Sequence, residues 1–123
     1  MDLTQPLKDL VAKIPGAIGA ILIDNEGEAV TYFARPEAAA NTNERIRLIG
    51  AYHRIWLRDV LNLTQQFRLG TLDNLIHKYE DGTVLIKALK DNHALILVGS
   101  NELLVGQGKL YLNKIGKLLN EDL

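Results

Sequence analysis

Apolar and polar residues alternate along this chain with two different periods, and the periods predict its elements. A first helix is predicted near the start, where residues at spacings of three and four share one side: Leu3, Leu7, Leu10, Val11 and Ile14. Pro15-Gly16 ends this helix. Residues 17–24 then form a continuous apolar run between turn residues, which is the pattern of a buried central strand.

Turn signals divide the rest of the chain. Asn25-Glu26-Gly27 predicts a hairpin into a second strand over 28–34. A long helix is predicted from about Thr42 to about Phe67, with Asn41 as its cap. Three more strands are predicted over 72–79, 83–89 and 94–99, and a last helix over about 102–120. Because tight turns join the paired strands, we expect antiparallel hairpins and an α+β fold.

The apolar residues of the long helix fall on two neighbouring faces. With successive residues about 100° apart, one face carries Ile49, Tyr52, Trp56, Val60, Leu63 and Phe67. An aromatic stripe at this spacing is most often part of a core. We therefore expect this first face to pack on the sheet.

The second apolar face of the long helix carries Ile46, Gly50, His53, Leu57, Leu61 and Thr64. Steps of three and four residues are typical of a seam between helices, and a glycine near the middle lets two backbones approach closely. We predict a homodimer seam against the same helix of a second copy, related by a two-fold axis. The alternative is a wide apolar face that loops partly cover.

The remaining face of the long helix is basic. It carries Arg47, Arg54 and Arg58, and like charges four residues apart destabilise an isolated helix. One interpretation is a solvated face. The other is a docking surface for an acidic protein partner, since arginine offers planar contacts with several donors.

Composition and charge narrow the possible partners. The 123 residues are 47% hydrophobic and 24% charged, as expected for one globular domain over 1–123. A net charge of -1 gives no overall bias towards nucleic acid or an anionic membrane. The charge is nevertheless uneven, because all six arginines and only three acidic residues lie within residues 35–68. Positive charge is therefore concentrated around the long helix.

No pattern in the sequence predicts a catalytic, cofactor or metal site. The chain has no cysteine, and His53, His77 and His93 are expected on a helix, a strand and a turn. Gly106-Gln107-Gly108-Lys109 lacks the other positions of a phosphate loop, and Ser100 lacks the surroundings of a nucleophile. We expect a protein that is not an enzyme and, with no export signal or membrane span in its sequence, a cytoplasmic one.

Four segments, taken in order, resemble those of a known family. Residues 14–24 contain a Pro-Gly-x-x-Gly strand, and an Asp-x-x-Gly turn follows to Gly27. Residues 81–87 and 94–98 are similar to the last two strands of that family, and residues 101–112 to the entry of its final helix. Their order and spacing resemble the Roadblock family, the dynein light-chain type domain that includes the bacterial mutual-gliding protein B.

The resemblance implies a Roadblock/profilin-like fold: a five-stranded antiparallel sheet with the long helix on one face and the two terminal helices on the other. It also implies a homodimer through the long helix and the third strand. Members act as scaffolds or regulators of Ras-like small GTPases, or as dynein light chains, and some stimulate GTP hydrolysis. The family offers no fixed catalytic residue for a position in this chain, so Arg47, Arg54 and Arg58 are contact candidates only.

Three functional hypotheses follow. The first is a homodimeric regulator or scaffold that binds a Ras-like small GTPase, with no nucleic acid partner and no membrane insertion. The second is a dimerising adaptor without a GTPase partner. The third is a small-ligand sensor that uses a pocket between sheet and helix.

Overall fold

The computed structural model describes residues 2–36 and 42–123, so the predicted cap at Asn41 lies outside the described residues. The elements are, in chain order, α1 (Thr4–Lys13), β1 (Ala17–Ile23), β2 (Ala29–Ala34), α2 (Thr42–Gln66), β3 (Leu75–Tyr79), β4 (Gly82–Ala88), β5 (Ala94–Gly99) and α3 (Val105–Asn120). Each corresponds to a predicted helix or strand. β3 and α3 begin later than predicted, at Leu75 and Val105.

The five strands form one antiparallel sheet in the order β2-β1-β5-β4-β3. β5 lies at the centre, where Ile96 is opposite Ile21 of β1 and Ile86 of β4. β2 and β3 are the two edges. The predicted α+β fold with a five-stranded antiparallel sheet is confirmed.

Each face of the sheet has its own hydrophobic core, because successive side chains of a strand point to opposite faces. On one face, Leu22 and Leu97 pack with Leu10 of α1 and Leu112 of α3. On the other face, Ile21, Ile86 and Ile96 pack with Ile46 and Leu57 of α2. The terminal helices therefore cover one face and α2 covers the other, as predicted.

The predicted hairpin between β1 and β2 is built around Asp24. Its Oδ1 accepts hydrogen bonds from the backbone N–H groups of Glu26 and Glu28, each at 2.9 Å. Gly27 adopts a φ of 85°, a conformation that glycine adopts without a steric penalty. The hydrogen bond from Glu28 is the main cause that holds the pKa of Asp24 below its ordinary value, so this carboxyl is ionised at neutral pH.

α2 packs on the sheet with the face that was predicted to be a homodimer seam. Ile46 is 2% exposed and Leu57 1% exposed. A β-carbon added at Gly50 would lie 2.7 Å from Cδ1 of Ile23, so the small residue brings α2 close to β1. The homodimer seam was predicted from the wrong residues, because four of them are buried inside their own chain and cannot contact a second copy: Ile46, Gly50, His53 and Leu57. Leu61 and Thr64 are partly buried.

The face predicted to lie on the sheet is instead turned largely to solvent. Tyr52 is 65% exposed and Phe67 64% exposed, and Trp56 and Leu63 are also exposed. The sequence analysis placed the aromatic residues on the buried side of α2 because aromatic side chains have the largest apolar area. In the fold, α2 lies so close to the sheet that only its smallest residue, Gly50, fits at the point of contact. The aromatic side chains therefore lie on the side of α2 that faces away from the sheet.

Candidate docking surface

Six large apolar residues form an exposed row along α2. We call this row the α2 outer face. Its members are Leu48, Tyr52, Ile55, Trp56 and Leu63 of α2, and Phe67, which directly follows the helix. Single exposed apolar side chains are ordinary on a protein surface, whereas a contiguous apolar patch marks an interaction surface. The α2 outer face is therefore the strongest candidate for a docking surface.

The edge strand β3 adds a second feature to this side of the molecule. β3 pairs with β4 along one side, and its other side is an edge of the sheet. The backbone groups of such an edge can pair with a strand of another chain. Ile76 and Tyr79 are exposed on this strand.

A cluster of four rings joins α2 to β3. The ring centroid of His53 lies 5.0 Å from that of Trp56 and 5.1 Å from that of His77, and Trp56 lies 5.0 Å from His77. His77 and Tyr79 both point towards α2, because alternate residues of a strand share a face. The cluster holds Trp56 beside the strand edge, so the α2 outer face and β3 form one connected surface.

The hydrogen bonds of His53 in this cluster fix which ring nitrogen carries the proton in its neutral form. Nδ1 lies 2.8 Å from the carbonyl oxygen of Ile49, which can only accept, so Nδ1 is the donor. Nε2 then accepts from the hydroxyl of Tyr79 at 2.9 Å. Burial is the main cause that lowers the pKa of His53 below its ordinary value, and nearby His77 acts in the same direction.

This arrangement predicts that stability falls in mild acid. Because the native state binds a proton at His53 less readily than the unfolded chain does, the free energy of unfolding drops as the pH falls below about 6.5. Urea unfolding at about pH 7.5 and about pH 5.5 measures the loss. His53→Gln should reduce it, while His93→Gln, in the β4–β5 turn, should retain it. An equal loss in both variants would contradict the assignment to His53.

The three predicted partner contacts do not share one surface. Arg47 is exposed and its guanidinium lies 5.8 Å from the ring centre of Tyr32. Arg58 is exposed as well. Arg54 is only 6% exposed, and its Nη2 donates to the carbonyl oxygen of Asn92 at 2.9 Å. The prediction of Arg54 as part of an exposed surface for a protein partner is wrong, because the residue is buried against the β4–β5 turn.

Two absences concern the described part of the chain. Residues 2–36 and 42–123 contain no group of three or more histidine, aspartate and glutamate side chains that could hold a metal ion. Within the same ranges, no helix combines the length and the apolar character needed to cross a membrane.

Comparisons with known proteins show which solved structures share the fold of this chain. No protein-family model and no curated protein matches the sequence. Among solved structures, a Roadblock/LC7 domain from Streptomyces avermitilis superposes with a TM-score of 0.81 at 12% identity, over 98% of this chain and 97% of that one. The gliding protein MglB from Thermus thermophilus gives a TM-score of 0.84 at 15% identity, over 97% and 86% of the two chains.

A third structure, MglC from Myxococcus xanthus, gives a TM-score of 0.71 at 17% identity and covers all of both chains. These likenesses extend over nearly the whole chain, and they agree with the order of motifs in the sequence. The resemblance seen in the sequence is thus confirmed in three dimensions: this chain has the fold of the Roadblock/LC7 domains.

Proposed function

We propose that this protein is a homodimeric regulator or scaffold that binds a Ras-like small GTPase in the cytoplasm and modulates its nucleotide state or localisation. The observation that carries the proposal is the α2 outer face beside the edge strand β3. The GTPase partner rests on the family resemblance of the sequence, and the shared fold supports the regulatory or adaptor role of that family.

The proposed homodimer uses this surface on both copies. A two-fold axis beside β3 pairs the strand with its own copy in antiparallel fashion, which extends the sheet across two chains. The same axis brings the α2 outer face of one copy near that of the other and removes its aromatic residues from water. Such an interface is self-complementary, because each copy contributes the same apolar row and the same strand edge.

The GTPase would meet the exposed arginines of α2. Arg47 and Arg58 are exposed, and their planar guanidinium groups suit an acidic protein surface. A regulator shifts the state of its partner only if it binds the two states with different affinity. The dimer therefore acts by favouring one conformation of the GTPase switch segments, and any stimulation of hydrolysis follows from ordering them.

Nucleotide-dependent binding tests the proposal. The purified chain is immobilised and exposed to small GTPases from the same cells, loaded with GDP or with a non-hydrolysable GTP analogue. We expect one GTPase to bind in one nucleotide state at least about tenfold more tightly, a typical coupling between two sites. Absence of binding in both states would contradict the GTPase partner and favour the dimerising adaptor.

Matched variants locate the contact. Arg47→Gln should weaken binding of that GTPase about threefold to tenfold, the effect expected from an exposed charge at the rim of an interface. Lys114→Gln lies on α3, on the opposite face of the sheet, and should leave the affinity unchanged. If the unmodified chain, Arg47→Gln and Lys114→Gln bound the GTPase with equal affinity, Arg47 would not be part of the proposed contact.

A further inference from the structure

A polar cleft lies beside α2, where the β1–β2 turn and the β4–β5 turn meet the helix. Its volume is about 490 Å³, and a smaller hollow of about 280 Å³ shares part of its lining. Asn25, Arg54 and Arg58 line both. The larger hollow includes no residue of the α2 outer face or of β3, and the smaller one touches the α2 outer face only at Ile55.

The lining of the larger hollow is suited to an anion. Besides the two arginines it presents four side-chain amides, those of Asn25, Asn62, Gln65 and Asn92. None of its described lining residues carries a carboxylate, and Glu26 lines only the smaller hollow. Amides and guanidinium groups supply N–H donors in several directions, as a group with many acceptor oxygens requires.

Arg54, one of the residues that line this cleft, has a buried donor without an acceptor. Its side chain is buried and its Nη2 is occupied by the carbonyl of Asn92, but its Nε has no acceptor among the described residues. A buried donor without an acceptor is costly, and more so when the group is charged. Burial, with the adjacent Arg58 as the next cause, lowers the pKa of Arg54 below its ordinary value.

A structural role for Arg54 explains only part of its burial and hydrogen bonding. Asp91 and Asn92 have φ values of 56° and 60°, and the hydrogen bond from Arg54 holds this left-handed turn. That bond leaves Nε without an acceptor. It also does not explain Arg58, which lies one helical turn away, repels Arg54 and has no ion-pair partner among the described residues.

The nearby Asp24 forms no ion pair with Arg54 or Arg58. Asp24 raises the pKa of Arg54 only as the last of its causes, and Oδ1 of Asp24 already accepts two backbone hydrogen bonds. Arg54 and Arg58 therefore both line the cleft without an ion-pair partner among the described residues. A single carboxylate would balance one of them, whereas a phosphate monoester carries close to two negative charges at neutral pH.

We propose that this cleft binds the phosphate monoester group of a small molecule, with Arg54 and Arg58 as its charged ligands. Arginine contacts phosphate oxygens through paired N–H groups, which are among the stronger hydrogen bonds in proteins. Asn62, Gln65 and Asn92 line the same cleft and would contact the rest of the molecule. Binding would supply the missing acceptor of Arg54 and join α2 to both turns.

The arginine Nε–Hε signals of the ¹⁵N-labelled full chain test the proposal directly. Inorganic phosphate is titrated at constant ionic strength, and we expect a saturating shift of the Arg54 signal. Arg58→Gln should weaken the fitted affinity at least about tenfold, the loss expected for one charged hydrogen-bonding ligand. Arg45→Gln, an exposed arginine of α2 outside the lining, should leave it unchanged.

A second variant keeps both arginines in place. Asn62→Asp puts a carboxylate at the cleft from an exposed position and should also weaken phosphate binding, while its dispersed spectrum shows that the fold is retained. A linear shift without saturation overturns the proposal. So does an unchanged affinity in both Arg58→Gln and Asn62→Asp. Acetate binding as tightly as phosphate overturns the phosphate class and assigns the cleft to carboxylates.

Discussion

Replacing Tyr52 and Trp56 together by glutamate is expected to convert the proposed dimer into a monomer. Both side chains belong to the α2 outer face, where the proposed interface would remove them from water. Aromatic residues of this kind contribute about 2 kcal/mol or more each at an interface, and a buried carboxylate without a partner adds a further penalty. We expect the dissociation constant to rise at least about 1000-fold, or about 4 kcal/mol.

Sedimentation velocity over micromolar concentrations measures this change, and a matched pair provides the control. The double variant Leu104→Glu, Leu110→Glu introduces the same charges at two exposed apolar positions, one directly before α3 and one within it. This variant should leave the dimer intact. Trp56 belongs to the ring cluster, so its replacement also removes contacts within the chain. The single variant Tyr52→Glu is therefore included, and urea unfolding checks that it is folded. A wild-type chain that sediments as a monomer throughout would contradict the homodimer.

Gly50→Leu is expected to lower the free energy of unfolding by about 3 kcal/mol, at the upper end of the usual cost of overpacking. A β-carbon at this position would lie 2.7 Å from Cδ1 of Ile23 and 2.9 Å from Cγ2 of Ile21. A leucine places three more carbon atoms in that space, so α2 must shift away from β1. Urea denaturation measures the loss.

Gly106→Leu is the matched control for this substitution. Gly106 lies in the first turn of α3 with no atom within 4 Å of an added β-carbon, so leucine should fit there. Its better helix propensity should leave stability unchanged or raise it by up to about 1 kcal/mol. If Gly50→Leu kept full stability while it dissociated a dimer, Gly50 would belong to a seam between copies after all.

The elements of this fold were predictable because their signals are local. Continuous apolar runs such as 94–99 mark strands that are buried on both faces, and tight turns such as Asn25-Glu26-Gly27 fix which strands are neighbours. The ends of β3 and α3 were less well predicted. β3 begins only where its ladder with β4 begins, at Leu75 opposite Ile86, and α3 begins only after the turn that Leu103 closes with Ser100.

The orientation of α2 could not be predicted from periodicity. Its two apolar faces are neighbours, and periodicity gives their width without stating which of them faces the sheet. Gly50 carried the decisive information, since only a small residue allows the backbone to approach Ile21 and Ile23. Because the sequence alone does not show what lies opposite a glycine, the same residue also suits a helix–helix seam.

The candidate sites depend even more on tertiary contacts. His77 and Tyr79 share one face of β3 by simple alternation, so their alignment was available in the sequence. Their contact with His53 was not, because it needs the placement of α2. The same holds for Arg54, whose burial is caused by the turn at Asn92, 38 residues further along the chain.

The central position of β5 has a consequence for how the protein is made. β5 joins β1 to β4, so the two halves of the sheet meet only through residues 94–99. A ribosome synthesises these residues after β1, β2, α2, β3 and β4, and until then one edge of β1 has no partner. The native sheet therefore closes only once the last strand has left the ribosome, and a nascent chain that stalls earlier exposes an apolar strand edge.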